Sequence, residues 1–453
     1  MPQIHPSAHL LPDTASFSPE GVFCIAGHSV PELALRYGTP LYMFDRVTIV
    51  NACKQYQRAF REHYTASPVQ FIYAAKAYLS PMIARIIAEQ GMGLDVVSGG
   101  ELRIAQQGGF PVERILFHGN NKSAEELELA LQLGVGRIAL DNWSELETLT
   151  KLARASGRQP AVLVRVAPGV QTETHRYLQT GHAAAKFGFP LGNGEAKAAL
   201  VRILAEGQLH LLGLHAHTGT MLRETRPYEE SVERLFELTY EVYEETLWWP
   251  QEISPGGGWA IDTPGDTGDI ATPGVDALAR ALQASMNRQL HATGRGLPAP
   301  TLILEPGRSI IARAGVAVYR IGARKQTPGG ITYLFVDGGM GDNIRPALYG
   351  ARYTALALER AFAPLEESVC VAGRYCESGD ILIEQVMLPL MHDGELLALP
   401  TAGAYCLPMT SNYNLVPRPA VILVDENHTQ LMERRETVED MLKRYQFFDE
   451  CSG

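Results

Sequence analysis

The sequence has 453 residues, which is too long for one ordinary hydrophobic core, so we expect two domains. A hydrophobic content of 46%, a charged content of 20% and a net charge of −11 are typical of a soluble protein, and they argue against nucleic acid or an anionic membrane as a partner. No apolar run could span a membrane and the N-terminus lacks the order of a signal peptide, which together predict a cytoplasmic location.

The six cysteines are scattered along the chain, and no two of them form a CxxC pair. This pattern predicts neither a zinc site nor a disulfide framework, and we expect no metal. A cysteine with a special role would therefore act as a free thiol.

The first 40 residues hold one short apolar run, FCIAG (23–27), and one amphipathic stretch, SVPELALRYG (29–38). They contain too few apolar residues to fold alone. We therefore expect this N-terminal segment, 1–40, to pack on a later domain of the chain.

Residues 41–310 alternate between short apolar runs and amphipathic stretches with helical periodicity. Eight runs are predicted strands: VQFIYAAKA (69–77), GLDVVSG (93–99), RILFHGN (114–120), RIALDNW (137–143), AVLVRVAPG (161–169), LHLLGLHAHTGT (209–220), QEISPGGG (251–258) and TLILEPGR (301–308). Eight βα repeats predict an α/β fold, a (β/α)8 barrel of the TIM type, whose chemistry lies where the strands end.

From residue 311 to 453 the sequence becomes rich in strand-like runs separated by turns, such as GVAVYRIGARKQ (315–326) and AVILVDE (420–426). A short charged helix, TVEDMLKRYQ (437–446), is predicted near the end. We expect a mostly β C-terminal domain here, with the N-terminal segment packed on it. The stretch 254–274 is rich in Gly, Pro and Asp and predicts a long loop.

A lysine ends the first predicted barrel strand, directly after an apolar run. Lys76 can be explained as a strand-end residue whose ammonium reaches water. Alternatively, it is kept in a pocket to form an imine with a carbonyl cofactor. All eight strand ends are polar or glycine-rich, which favours the second explanation; they hold Lys76, Asp95, His118 with Asn120, Asp141, Arg165, His217, Gly256 to Gly258, and Glu305 with Arg308.

Three consecutive glycines at the end of the seventh strand expose backbone N–H groups, which suits a phosphate monoester. Thr220 and Arg308 could add a hydroxyl and a guanidinium to such a site. Glu305 could pair with a pyridine nitrogen and keep it protonated. A lysine, a phosphate cradle and this glutamate together predict pyridoxal 5'-phosphate as the cofactor.

Nine motifs, in order along residues 35–440, resemble the diaminopimelate decarboxylase family of alanine-racemase-type (fold type III) pyridoxal-phosphate enzymes. They are YAAKA (73–77), GLDVVSGGEL (93–102), FHGNNKS (117–123), HAHTGT (215–220), PGGG (255–258), LEPGRS (304–309), DGGMGDNIRPALYGA (337–351), YCESGD (375–380) and GAYCLPMTSNYN (403–414). The family's usual pattern differs in two places: Thr218 and Thr220 replace an apolar residue and Ser, and the residues after Gly258 depart from it.

The resemblance implies a role for each matched residue. Lys76 would carry the cofactor, His217 would stack on its ring, and Glu305 would meet its pyridine nitrogen. The phosphate would be held by Thr220, Gly257, Gly258, Arg308 and Tyr405. The non-reacting end of the substrate would be bound by Arg308, Arg345, Tyr349, Glu377 and Tyr405, and Cys376 would supply a proton.

The resemblance also implies decarboxylation of meso-2,6-diaminopimelate to L-lysine, in a homodimer whose active sites are shared between subunits. One alternative is a related decarboxylase acting on ornithine, lysine or a carrier-bound amino acid. Glu377 follows the cysteine where ornithine-type enzymes usually carry Asp, and the arginine of RPALY (345–349) fits a substrate with a distal carboxylate. A second alternative, a regulatory protein with this fold and no catalysis, would be expected to have lost Lys76 or Cys376.

Overall fold

The computed structural model of the protein describes residues 5–170, 186–266, 272–292 and 296–446. These residues fall into two units. One contains residues 50–170, 186–261, 272–292 and 296–310, and we call it the barrel unit. The other contains residues 5–49, 262–266 and 311–446, and we call it the β unit.

The described strands and helices are numbered in chain order. The strands are β1 (Ala15–Phe17), β2 (Phe23–Ile25), β3 (His28–Ser29), β4 (Leu41–Asp45), β5 (Val69–Ala74), β6 (Gly93–Val96), β7 (Ile115–Phe117), β8 (Arg137–Leu140), β9 (Ala161–Ala167), β10 (Phe189–Pro190), β11 (His210–Ala216), β12 (Glu252–Gly256), β13 (Thr301–Leu304), β14 (Gly315–Gln326), β15 (Thr332–Val336), β16 (Leu356–Ala357), β17 (Glu367–Ala372), β18 (Ile381–Leu388), β19 (Leu396–Leu399), β20 (Ala420–Val424) and β21 (Thr429–Glu433). The α-helices are α1 (Val30–Tyr37), α2 (Arg46–His63), α3 (Pro81–Glu89), α4 (Gly99–Gln107), α5 (Ala124–Leu133), α6 (Trp143–Ser156), α7 (Glu195–Glu206), α8 (Arg226–Thr246), α9 (Val275–His291), α10 (Arg308–Ile311), α11 (Arg345–Tyr349) and α12 (Val438–Leu442).

Eight parallel strands of the barrel unit close into a barrel. Their order around it is β5, β6, β7, β8, β9, β11, β12 and β13, and β13 pairs with β5 to close the ring. The two-residue strand β10 pairs alongside β9. All eight predicted strands are present, so the predicted (β/α)8 barrel is confirmed.

Capping residues fix the turns between the first barrel strands and their helices. The Ser80, Ser98, Ser123 and Asn142 side chains each accept a hydrogen bond from the backbone N–H three residues further on. Such a cap satisfies an N–H group that the helix itself leaves unpaired. The turns that follow β5 to β8 are thereby held in place, and these turns carry candidate site residues.

The β unit is built on a mixed nine-stranded sheet. Its main path runs β18, β17, β15, β14, β4, β20 and β21, and β19 joins it by pairing with β14. The N-terminal segment adds a three-stranded sheet, β1 to β3, and helix α1. Phe23, Ile25 and Val30 of that segment share one buried cluster with Leu41 and Val316.

Strand β4 extends the β unit beyond the boundary at residue 40 that the sequence predicts. All five of its residues are buried, and it lies between β14 and β20 in the sheet. The unit therefore continues to residue 49. The predicted long loop, 254–274, lies outside the described residues at 267–271; before that gap, residues 262–266 belong to the β unit. No described helix has both the length and the apolar character that a membrane crossing requires.

Candidate active site

Lys76 lies in a single 3-10 turn, Ala75–Ala77, immediately after β5. Its ammonium nitrogen is 4.0 Å from Oδ2 of Asp95 on the neighbouring strand β6. The Asp95 side chain is buried, whereas that of Lys76 is 44% exposed. A lysine tethered beside a buried carboxylate at the rim of a barrel is placed to react with a ligand in the barrel mouth.

Glu305 follows β13 and is held by two hydrogen-bond donors. Ser254 Oγ donates to its Oε1 over 2.9 Å, and His215 Nε2 lies 3.0 Å from its Oε2. Burial acts to raise the pKa of Glu305, but His215 and His118 outweigh burial and hold that pKa well below its ordinary value. Glu305 is therefore an ionised carboxylate inside the barrel mouth.

Burial lowers the pKa of both His118 and His215, so these imidazoles are neutral at neutral pH. Their ring centroids are 4.5 Å apart, and His118 Nε2 is 3.6 Å from Glu305 Oε2. The neutral His215 ring can support the carboxylate through an N–H group without cancelling its charge, whereas His118 lies beyond hydrogen-bond distance. Glu305 thus keeps its negative charge for a ligand.

His217 follows strand β11, and its ring orientation is fixed by the glycine turn. The Gly257 N–H donates to His217 Nδ1 over 3.3 Å, so the proton of the neutral ring is on Nε2. Burial lowers the pKa of His217 well below its ordinary value, and the nearby Lys76 and Arg165 act in the same direction. An uncharged imidazole ring is suited to stacking on a flat ligand.

The glycines after β12 are required by close backbone contacts. A Cβ atom on Gly257 would lie 1.9 Å from the carbonyl oxygen of Glu305, and one on Gly258 would lie 2.0 Å from that of Gly219. Gly258 also has a φ of +105°, which glycine tolerates far better than other residues do. Thr220 follows Gly219, so its hydroxyl belongs to a loop that touches this turn.

Arg308 begins α10, directly after the turn that ends β13. The Ala74 N–H donates to the carbonyl oxygen of Pro306, and a Cβ on Gly307 would lie 2.9 Å from Cβ of Ala74. The turn therefore packs tightly against the end of β5, the strand that precedes Lys76. Arg308 is buried at this strand end, as a phosphate-binding guanidinium would be.

In the β unit, Arg345 and Tyr349 are the first and last residues of α11. Arg345 Nη1 donates to the Tyr353 hydroxyl over 2.5 Å, while its buried Nε has no hydrogen-bond partner among the described residues. Burial acts to lower the pKa of Arg345, but Tyr353 and Cys406 outweigh it and raise that pKa. Arg345 is therefore a charged guanidinium with an unused donor.

Cys376 and Glu377 lie on an exposed turn between β17 and β18. The turn is anchored at its base by the buried Asp380, whose carboxylate accepts hydrogen bonds from the N–H groups of Met340 at 2.6 Å and Tyr375 at 2.8 Å. The Cys376 N–H also donates to Asn414 Oδ1 over 2.9 Å. The thiol and the carboxylate are thus presented on a fixed but solvent-facing turn.

Tyr405 lies in the loop after β19 and has a φ of +63°. A left-handed backbone is unfavourable for a tyrosine and is commonly found at functional sites. Of the predicted site residues, the barrel unit holds Lys76, His217, Thr220, Gly257, Gly258, Glu305 and Arg308, and the β unit holds Arg345, Tyr349, Cys376, Glu377 and Tyr405.

The residues that hold Glu305 were not assigned a role from the sequence. His215 lies two positions before His217 in the predicted strand 209–220, and residues two apart share one face of a strand, so this spacing is an available signal. Ser254 is the register partner of His215 on β12, which only the pairing of the strands reveals. Tyr353 and Cys406, the neighbours of Arg345, have no signal in the sequence.

The donor set in the barrel mouth fits pyridoxal 5'-phosphate. A strand-end lysine can form an imine, a buried ionised carboxylate can pair with a pyridinium, and a glycine turn beside an arginine can bind a phosphate. Barrel fold and site together define the class of barrel-type pyridoxal-phosphate enzymes. Residues 46–312 match the family model described as "Pyridoxal-dependent decarboxylase, pyridoxal binding domain".

Comparison with known proteins narrows the class to one family. The chain is 40% identical to diaminopimelate decarboxylase of Bacillus subtilis, over 92% of this chain and 94% of that protein, and 40% identical to that of Synechocystis, over 97% and 93%. The crystal structure of the M. jannaschii diaminopimelate decarboxylase with L-lysine superposes with a TM-score of 0.87 at 32% identity, covering 96% of this chain and 98% of that chain. The chain belongs to the diaminopimelate decarboxylase family.

Proposed function

We propose that the protein decarboxylates meso-2,6-diaminopimelate to L-lysine and CO2 with pyridoxal 5'-phosphate as cofactor. The observation that carries this proposal is Arg345, a half-buried arginine whose buried Nε has no partner among the described residues, on a chain whose barrel mouth fits the cofactor. A guanidinium without a carboxylate partner is suited to binding an anionic ligand. The distal carboxylate of diaminopimelate is such a ligand.

The barrel residues would bind the cofactor. Lys76 would form the imine, His217 would stack on the ring, and the ionised Glu305 would keep a proton on the pyridine nitrogen. The phosphate would be bound by Thr220, Gly257, Gly258, Arg308 and Tyr405. When bound, the cofactor supplies an electron sink for the bond that breaks as CO2 leaves.

The residues of the β unit would recognise the substrate and complete the reaction. Arg345, with Arg308, would bind the distal carboxylate, Glu377 would bind the distal ammonium, and Tyr349 and Tyr405 would line the same site. The Cys376 thiol would deliver a proton to the carbon that loses CO2. This division of roles favours diaminopimelate over lysine or ornithine, because neither offers a distal carboxylate to Arg345.

We further propose that the protein works as a homodimer with shared active sites. Cys376 and Glu377 lie on an exposed turn that Asp380 and Asn414 hold in place, which supports delivery of both side chains to a partner subunit. Such a site would be incomplete in a single chain. A cytoplasmic location belongs to the same proposal, and it is supported by the free thiols of all five described cysteines.

Identifying the products tests the proposed reaction. The purified protein would be incubated separately with meso-diaminopimelate, L-lysine and L-ornithine, and the products would be identified by mass spectrometry. We expect L-lysine and CO2 from the first substrate and little turnover of the other two. Equal efficiency on all three would favour the alternative of a broader amino-acid decarboxylase. A protein without yellow colour, and without a change on borohydride reduction, would favour the alternative of a regulatory protein.

A further inference from the structure

Arg345 is half-buried, and among the described residues its guanidinium is held without a carboxylate. Its Nη1 is 2.5 Å from the hydroxyl of Tyr353, and its guanidinium carbon is 5.8 Å from the centre of the Tyr353 ring. The Tyr353 hydroxyl in turn lies 3.4 Å from Sγ of Cys406. Tyr353 is 7% exposed and Cys406 is fully buried, so this chain of contacts is shielded from water.

Neither supporting group carries a formal charge at neutral pH. A phenol hydroxyl is neutral there, and burial raises the pKa of the Cys406 thiol, which keeps it protonated. Among the described residues, no carboxylate pairs with Arg345. The hydroxyl can accept from Arg345 Nη1 and donate to the sulfur, so these two contacts are made without an anion, while Arg345 Nε keeps no partner among the described residues.

Another arginine in the chain shows the opposite arrangement. Arg137 donates from Nε and Nη2 to both carboxylate oxygens of Glu252 at 2.6 and 2.5 Å. The charge of Arg137 is therefore neutralised by Glu252 within the protein. A guanidinium paired in this way has little attraction left for a substrate carboxylate. Arg345 is oriented by a neutral group instead, so its full charge remains for a ligand.

We propose that Tyr353, supported by Cys406, is a positioning residue that sets substrate specificity: it aims the Arg345 guanidinium at the distal carboxylate while leaving the charge of Arg345 unneutralised. This inference rests on the proposed function, in which Arg345 binds that carboxylate. Tyr353 would thus contribute to the preference for a substrate with a distal carboxylate without contacting that substrate.

The test is to remove only the hydroxyl, with Tyr353→Phe. Tyr37→Phe is the matched control, because the Tyr37 hydroxyl also has a side-chain partner in the β unit, Thr429, at 3.0 Å. Two inhibitors of diaminopimelate turnover separate the roles. L-Lysine can place its carboxylate at Arg345, whereas 1,5-diaminopentane has the same chain length and no carboxylate.

We expect Tyr353→Phe to raise the KM for meso-diaminopimelate and the inhibition constant of L-lysine about tenfold, the usual effect of losing one hydrogen bond to a charged group. The inhibition constant of 1,5-diaminopentane and kcat should change less than about twofold, which is small against that loss. Tyr37→Phe should change none of these values. Cys406→Ala removes the sulfur that contacts the Tyr353 hydroxyl and that also neighbours Arg345, and it should raise the inhibition constant of L-lysine by a smaller factor.

Three results would overturn the inference. An equal rise in the constants of both inhibitors would show that the hydroxyl is merely structural, and no rise in either would show that Arg345 does not depend on it. A wild-type protein without activity on meso-diaminopimelate would contradict the proposed function as well. The thermal midpoint and the absorbance of the bound cofactor, measured for each variant, confirm that the folded holoenzyme is being compared.

Discussion

Glu305 in the barrel unit and Arg345 in the β unit are held in different ways. In the barrel unit, Glu305 is bonded to Ser254 and His215, and Lys122 is paired with Glu145 at 2.5 Å. In the β unit, Arg345 has no carboxylate partner among the described residues. These two barrel charges are therefore met by groups of the barrel unit, whereas Arg345 keeps a donor, its Nε, for a ligand.

This difference is consistent with the residence times of the two ligands, because the cofactor stays bound through many turnovers and the substrate does not. A cofactor that remains bound needs a site that is organised in advance, so that no energy is spent on ordering it at each turnover. A substrate enters and leaves, and an unpaired charge makes its binding selective because wrong molecules leave that charge unmet. The predictions below test the comparison, starting with the barrel unit.

Replacing Lys76 by alanine should have the largest effect on turnover. The variant loses the amine that would hold the cofactor covalently, so we expect activity to fall on the order of a thousandfold or more. Folding should survive, because the apolar part of β5 is unchanged. Turnover and the absorbance of the bound cofactor are the measurements, and Lys54→Ala, an exposed lysine of α2, is the control. Wild-type turnover in the variant would make Lys76 a simple strand-end residue.

The Lys122 and Glu145 pair tests whether charges in the barrel unit are compensated internally. Lys122 Nζ also donates to the carbonyl oxygens of Gly119 at 2.7 Å and Ala139 at 2.9 Å, and the two charged side chains are 0% and 2% exposed. Lys122→Met alone leaves a buried carboxylate unpaired and should cost about 3–5 kcal/mol of stability. Lys122→Met with Glu145→Leu should recover most of that loss.

The stabilities of the single and the double variant are compared by measuring their thermal midpoints. Arg202→Met, which breaks a surface pair with Glu206, is the control and should change the midpoint little. If the double variant is as unstable as the single one, the cost comes from the lost hydrogen bonds to the two carbonyl groups, and the pair is not compensating a charge.

Arg345→Ala tests the uncompensated charge of the β unit. A substrate without a distal carboxylate leaves the guanidinium buried and unpaired, which predicts at least about a hundredfold preference for diaminopimelate over L-lysine in the wild type. The variant should lose most of its activity on diaminopimelate and most of that preference. Glu377→Ala should lower kcat/KM for both substrates, because each has a distal ammonium.

The values of kcat/KM for both substrates decide this prediction. Arg324→Ala removes an arginine of the β unit that is already paired with Glu367, and it serves as the control. Equal wild-type efficiency on the two substrates would contradict the role of Arg345 and favour a less selective decarboxylase.

The barrel and its polar strand ends could be predicted because they depend on local patterns. Each strand is a short apolar run followed by a polar or glycine residue, and the eight repeats fix their place at one end of the barrel. Lys76 and Glu305 were found in this way. Strand β4 was not among the predicted strands, although all five of its residues are buried.

The supporting contacts could not be predicted, because they arise only when the chain is folded. Ser254 reaches Glu305 across two paired strands, 51 positions apart in the sequence. Cys406 reaches Tyr353 across 53 positions. Neither contact changes the local pattern of apolar and polar residues. The sequence therefore located the groups of the candidate site but not the residues that set their charge and direction.

The last prediction concerns the exposed turn of the β unit that carries Cys376 and Glu377. Lys76→Ala and Cys376→Ala should each be inactive alone. Mixing them should restore about a quarter of wild-type activity, because random exchange makes half of the dimers mixed and each mixed dimer has one intact site of two. The measurement is turnover after subunit exchange, which is followed by native mass spectrometry.

The control for this mixing experiment is Cys376→Ala combined with the double variant Lys76→Ala and Cys376→Ala. These subunits exchange equally well but can form no site with both groups, so activity should stay absent. Recovery in the first mixture and not in the second places Lys76 and Cys376 of one site on different chains. Without recovery after demonstrated exchange, both groups of a site come from a single chain. In that case the Cys376 thiol would serve the active site of its own subunit, and the proposal of active sites shared between two subunits would be wrong.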